Sequence, residues 1–205
     1  MRHVFVETNW VVACVAPGHQ KTPAALDLLN RAAGEELTLH LPAISIAGAR
    51  QPITERLQRY LSWGKNRKIV NPADEAELRS LIDQIKGYAN VELDKLDETL
   101  CGLSMAKGIE VIPLSEAMLS RRAELSYFKL DLQPFDQAIL AAILVRAEDL
   151  AKVGVNETEF CDLGADLQPW GKEGNSRPIL AGLYKERRIR VYGDFLPQSP
   201  EKYEG

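Results

Sequence analysis

Four acidic side chains stand where this chain could gather ligands for a metal ion: Glu7, Asp136, Asp162 and Asp166. The run His3-Val4-Phe5-Val6 reads as a short buried strand, and it ends in a carboxylate, a hydroxyl and an amide, Glu7-Thr8-Asn9. In α/β proteins ligands bind at the carboxyl ends of parallel strands. No basic residue adjoins Glu7 in sequence to neutralise it there. Asp136 falls in the first turn of a helix opened by Pro134, where the helix dipole favours a carboxylate. Asp162 ends a later apolar stretch, and Asp166 follows in the loop Leu163-Gly164-Ala165-Asp166-Leu167. These acids converge only if the first and fourth strands are neighbours, which the strand order 3-2-1-4-5 provides. Plainer uses exist for each: Glu7 as a helix cap, Asp136 as a stabiliser of its helix, Asp162 and Asp166 as turn formers.

The elements that must position these residues follow from periodicity and breakers. Val4 to Val6, Leu37 to Leu41, Glu110 to Pro113, Thr158 to Leu163 and Ile189 to Tyr192 read as strands. An apolar run from Trp10 to Ala16 starts a helix that Pro17-Gly18 breaks. Residues 23–33 are helical and closed by Gly34. From Pro42 to Trp63 apolar residues recur at three and four, with Pro52 expected to kink or break the helix. Asn71-Pro72 is a helix start, with Asp74 and Glu75 in its first turn. The stripe from Leu78 to Leu103 then makes one long helix, or two joined near Gly87. Ser115 caps a helix to about Phe128, Pro134 opens the next, and Arg177 to Arg187 is the last. Strands alternating with helices predict an α/β fold. It has a parallel sheet of about five strands, in the order 3-2-1-4-5, sandwiched by helices.

The 205 residues suit one domain, 1–196, followed by a polar tail, 197–205. A net charge of −4 argues against a general nucleic-acid coat protein but leaves room for a local basic face. Basic residues gather at Arg56, Arg59, Lys65, Arg67 and Lys68, at Arg121 and Arg122, and between Lys185 and Arg190. The three cysteines, Cys14, Cys101 and Cys161, are far apart and suit reduced thiols in a cytoplasmic protein. No apolar run is long enough to span a membrane. His3, His19 and His40 lack ligand spacing and read as packing or surface residues. Trp10 and Trp63 read as core. Trp170 reads as a loop anchor, with base stacking as its functional alternative.

Four segments in order resemble the motifs of the PIN-domain nucleases. They are Val4-Phe5-Val6-Glu7-Thr8-Asn9, Leu41 to Arg50, Pro134-Phe135-Asp136-Gln137-Ala138-Ile139, and Phe160-Cys161-Asp162 on to Asp166-Leu167. The resemblance covers most of the first 170 residues. It departs from the family pattern in three places: Glu7 stands for the usual Asp, Gly48 for the usual Glu, and Gly164 where an acid or Asn is common.

The resemblance implies a PIN-like fold and a toxin-like ribonuclease that hydrolyses RNA phosphodiester bonds with Mg²⁺ or Mn²⁺. Glu7, Asp136 and Asp162 would hold the metal, with Asp166 a further catalytic acid and Thr8 and Asn9 as supports. Arg50, Arg56 and Arg59 would contact RNA, and the partners would be RNA, an antitoxin protein and a second copy of the chain. The chemistry agrees with the residue types. Clustered carboxylates resist ionisation unless a cation is present, and a hard cation stabilises charge on phosphoryl oxygens. Gly48 and Glu7 raise a rival: a catalytically degenerate PIN-like protein that binds RNA or a protein partner. A third reading is an α/β enzyme for a small phosphorylated ligand.

Overall fold

Val4, Phe5 and Val6 are fully buried, and their alternation explains the architecture. Val4 and Val6 join one apolar cluster and Phe5 the other, because successive side chains of a strand point to opposite faces. The computed structural model describes residues 1–16, 21–62, 72–170 and 176–197, with backbone alone for 72–76. Its strands are β1 (Arg2–Phe5), β2 (Leu37–Pro42), β3 (Ile109–Ile112), β4 (Thr158–Cys161) and β5 (Ile189–Tyr192). All pair in parallel, in the order β3-β2-β1-β4-β5. The helices are α1 (Thr8–Val15), α2 (Pro23–Ala33), α3 (Ala43–Leu61), α4 (Pro72–Ser104), α5 (Glu116–Leu125), α6 (Pro134–Lys152) and α7 (Pro178–Glu186). Helices α1 to α4 feed the cluster on one face of the sheet, and α5 to α7 the cluster on the other. The molecule is thus an α/β protein with the expected sheet, consistent with a PIN-like fold. No described helix is long and apolar enough to cross a membrane.

Several boundaries differ from the sequence reading. Pro52 does not end α3, which runs on to Leu61. Ala49, Ile53 and Leu57 are all buried along one stripe across the proline, so packing offsets the lost backbone hydrogen bond. Helix α4 passes Gly87 as one element of 33 residues. Strand β4 stops at Cys161, so Asp162 is the first residue beyond it. Asn71, Trp63, His19, Lys65, Arg67, Lys68 and residues 198–205, and the side chains of Asp74 and Glu75, lie outside the described residues.

His40 is a packing residue, as expected, but it and His3 are not isolated from one another. His3 and His40 are far apart in sequence, yet His3 Nδ1 lies 2.9 Å from His40 Nε2 across the β1–β2 pair. Their rings stack at 5.2 Å between centroids. Burial first, and then His3 and Arg146, push the His40 imidazole down to about 3, so it is neutral at pH 7. Its Nδ1 faces Glu110 Oε2 at 3.4 Å, and Arg146 ion-pairs with the same glutamate. Spacing along one strand could not show a contact that parallel register creates. Of the other aromatic readings, Trp10 is core as expected, with its indole N–H donating to Ala25 O at 3.2 Å. All three cysteines are free.

Candidate functional site: an acidic cluster at the strand ends

Glu7 lies beyond the central strand, with Val6 between, and serves as the N-cap of α1. Its backbone is extended, and its Oε1 accepts from Asn9 N at 2.7 Å. The plainer use is therefore real. A glutamate is long enough to fold back onto its own helix start, satisfying one of the free N–H groups there. The remainder of the carboxyl meets Asp162. Strand β4 lies beside β1, with Phe5 opposite Phe160, so the residues after each strand emerge side by side. Both are almost completely buried, Glu7 at 4% and Asp162 at 1% exposure.

Asp162 is held on all sides. Its Oδ1 accepts from Gly164 N at 2.6 Å and from Asn9 Nδ2 at 3.3 Å, and its backbone oxygen accepts from Gln168 Nε2 at 2.7 Å. Gly164 is required for this fit. A Cβ there would lie 2.6 Å from Asn9 Nδ2 and 3.1 Å from Asp162 Oδ1. The loop beyond is pinned by Tyr184, whose hydroxyl donates to Leu167 O at 2.9 Å.

The electrostatics are those of an uncompensated acidic site. Burial, then the neighbouring Asp162 carboxylate, hold Glu7 well above the usual carboxylate range. Burial pushes Asp162 up to about 6, against the hydrogen bonds from Gly164, Glu7 and Asn9. The two carboxyls also hydrogen-bond to each other, which raises Glu7 and lowers Asp162. Asp136, half-buried in the first turn of α6, is raised by burial and then by Asp166. Asp136 also raises Glu7, and Asp166 raises Asp162, so the four acids feel one another's charge. Asp166 itself is exposed. The structure thus brings Glu7 and Asp162 into contact and sets Asp136 and Asp166 around them.

Two buried hydroxyls that follow the carboxyl ends of β1 and β2 make no hydrogen bond within the described protein: Thr8 Oγ1 and Ser45 Oγ. The motif resemblance casts Thr8 as a support for the metal ligands, and its hydroxyl is unspent. Asn9, cast in the same role, donates from its Nδ2 to the Asp162 carboxylate. Among the described residues no three His, Cys, Asp or Glu side chains group as metal ligands. Mg²⁺ does not need such a cage, since it binds through one or two carboxylates and keeps several waters. The Glu7–Asp162 pair with two orphan hydroxyls fits that kind of binding.

The second motif is where the site departs most. A Cβ on Gly48 would lie 2.2 Å from Phe135 Cζ and 2.7 Å from Phe135 Cε1. The ring of the residue before Asp136 therefore fills the place where a side chain at position 48 would start. Sequence shows the missing carboxylate but not what takes its place. The signal is the pairing of a glycine in one motif with an aromatic in another.

The arginines read as RNA contacts are placed less favourably. Arg50 makes a two-pronged ion pair with Asp97 of α4, at 2.8 and 3.2 Å. Arg56 and Arg59 are exposed on the later turns of α3. At the α-helical rise they stand roughly 20 Å or more along the axis from the end of β2.

Comparison of the chain with protein-family models, with curated proteins and with solved structures finds no match in any of the three.

Proposed function

We propose that this protein is a PIN-like ribonuclease that depends on a divalent cation, Mg²⁺ or Mn²⁺. The observation that carries the reading is the meeting of Glu7 and Asp162 beyond two central strands. Asp136 and Asp166 lie within electrostatic reach, and Glu7, Asp136 and Asp162 are all raised, by burial first and by neighbouring carboxylates. When bound, the cation supplies charge neutralisation for a phosphodiester and lowers the pKa of water. The chain's own residues do the positioning. Asn9 and the Gly164 N–H fix Asp162, the start of α1 fixes Glu7, and Asp136 presents its carboxylate from α6. The toxin-like role, an antitoxin partner, a homodimer and a cytoplasmic location belong to the same proposal, and rest on the motif resemblance alone.

The test is cleavage of single-stranded and folded RNA by the purified protein with Mg²⁺ or Mn²⁺. Cleavage that chelation abolishes is the expected result. RNA bound but uncut under every metal condition would overturn the reading.

The seating of Phe135 on Gly48 favours a second reading, a degenerate PIN-like protein that binds RNA or a protein partner. On this reading, Gly48→Glu with Glu7→Asp and Phe135→Ala should create cleavage that the native chain lacks. Phe135 must be included, because its ring occupies the space the new side chain needs. A native protein already fully active would sink this alternative.

A further inference from the structure

Beyond the acidic site, a cavity of about 400 Å³ opens between α7, β5 and the loop ending at Trp170. Trp170, Lys185, Arg188, Arg190, Tyr184 and Ile189 are among its lining residues. Its size is that of a small-ligand site. We propose that this cavity binds one nucleotide unit, with the base stacked on Trp170 and the phosphate held by Lys185 and Arg188.

The aromatic is both held and presented. A Cβ on Gly193 would lie 3.2 Å from Trp170 Cζ2, so the indole is seated closely against the backbone just after β5. Trp170 nevertheless remains 37% exposed. A tryptophan kept against the fold with part of its surface open is a stacking platform. Stacking tolerates any base because every base has a π face.

The cations are available. Among the described residues neither Lys185 nor Arg188 makes an ion pair, and both are exposed. Arg190 is different, since it is engaged by Glu157 at 2.6 Å and serves as wall rather than ligand. Arg188 also sits in the left-handed backbone region, at φ 53°. That conformation costs a residue with a Cβ more than it costs glycine. The turn is fixed, because Arg188 N donates to Lys185 O and Arg188 O accepts from Thr158 N, both at 3.1 Å. Two such cations beside an exposed indole, on a chain of net charge −4, mark this cavity for an anionic planar ligand. A nucleotide has both parts.

The nucleotide site is separate from the catalytic reading, and its test is run without divalent metal so that cleavage has no bearing on it. Binding of a labelled single-stranded RNA octamer and of a free nucleoside monophosphate is measured by anisotropy and by quenching of tryptophan emission. Binding of both at comparable strength identifies a site for free nucleotides. Binding of the octamer alone identifies a track for a strand. Trp170→Ala is expected to weaken binding about tenfold or more, and Trp170→Phe to restore most of it. Lys185→Gln with Arg188→Gln should lower the dependence of log affinity on log salt by roughly 0.7 for each phosphate no longer neutralised. These two side chains are exposed, so that variant keeps the fold even if Trp170→Ala does not. Failure of both probes to bind, or unchanged affinity and salt dependence in the double variant, overturns the proposal.

Discussion

Replacing Glu7 with Gln is expected to make the protein more stable at neutral pH while removing its affinity for Mg²⁺ and Mn²⁺. The native carboxyl is buried beside Asp162, and both groups are raised above their ordinary range. A carboxyl raised in the folded state contributes stability that is complete below the unfolded value, near pH 4. That contribution is lost as pH climbs through the folded value, about 6 for Asp162. The native protein therefore loses stability from Asp162 between roughly pH 4 and 6, and from Glu7 on through the higher range to which burial raises it. Gln keeps an oxygen to cap α1 and gains an N–H to donate to Asp162. The variant removes a buried titrating carboxyl and keeps a donor for the hydrogen bond that holds Asp162 down. The gain at pH 7.5 should be on the order of 1–3 kcal/mol, at about 1.4 kcal/mol for each unit by which burial raises the Glu7 carboxyl. It should shrink toward zero by pH 4. Urea unfolding of native and variant at both pH values measures it. A variant less stable by the same amount at both would mean that the pair is an ordinary structural hydrogen bond. Such a trade of stability for function is common where charge is concentrated for binding.

Asp136→Asn should have the opposite profile, a small effect on stability and a large one on activity. Asp136 is half-buried in the first turn of α6, so its charge favours that helix end. Asn retains the size and removes the charge, and the cost should be about 1 kcal/mol or less. Cation affinity and any RNA cleavage should fall on the order of ten- to a thousandfold. Calorimetric titration with Mn²⁺ and a cleavage assay read the two effects separately. Native-level binding and activity in the variant would reduce Asp136 to a helix stabiliser and remove the centre of the nuclease reading.

The sheet order is legible in the sequence because each strand is a short apolar run bounded by turn residues, and helices intervene between strands. The Glu7–Asp162 convergence, with Asp136 beside it, follows from that order. What stays hidden depends on register and on side-chain volume. His3 and His40 meet because β1 and β2 pair in a particular register, which hydrophobic pattern alone does not specify when strands are buried throughout. Phe135 covers Gly48 because α6 starts beside α3, a packing relation between segments far apart in sequence. The cap made by Glu7 is legible as an option, but its coexistence with the Asp162 contact is not. One carboxyl has two oxygens, and only the folded arrangement turns them to different neighbours. Arg50 looks available for RNA in the sequence because its partner, Asp97, comes from a different helix.

The position of β1 at the centre of the sheet also sets a timetable for synthesis. Its partner β2 follows within 40 residues or so, but its other partner, β4, begins only at Thr158. The Glu7–Asp162 pair therefore cannot form until some 155 residues after Glu7 have been made. At usual elongation speeds that is a delay of roughly 8 to 30 s, with more until Asp162 clears the ribosome. Throughout that interval the open edge of β1 waits for a strand not yet translated. A chain stopped before residue 158 would carry Glu7 and Asp136 but no partner for either at β4. Any chemistry that needs both carboxyls is therefore absent from the growing chain until β4 has been made and docked beside β1.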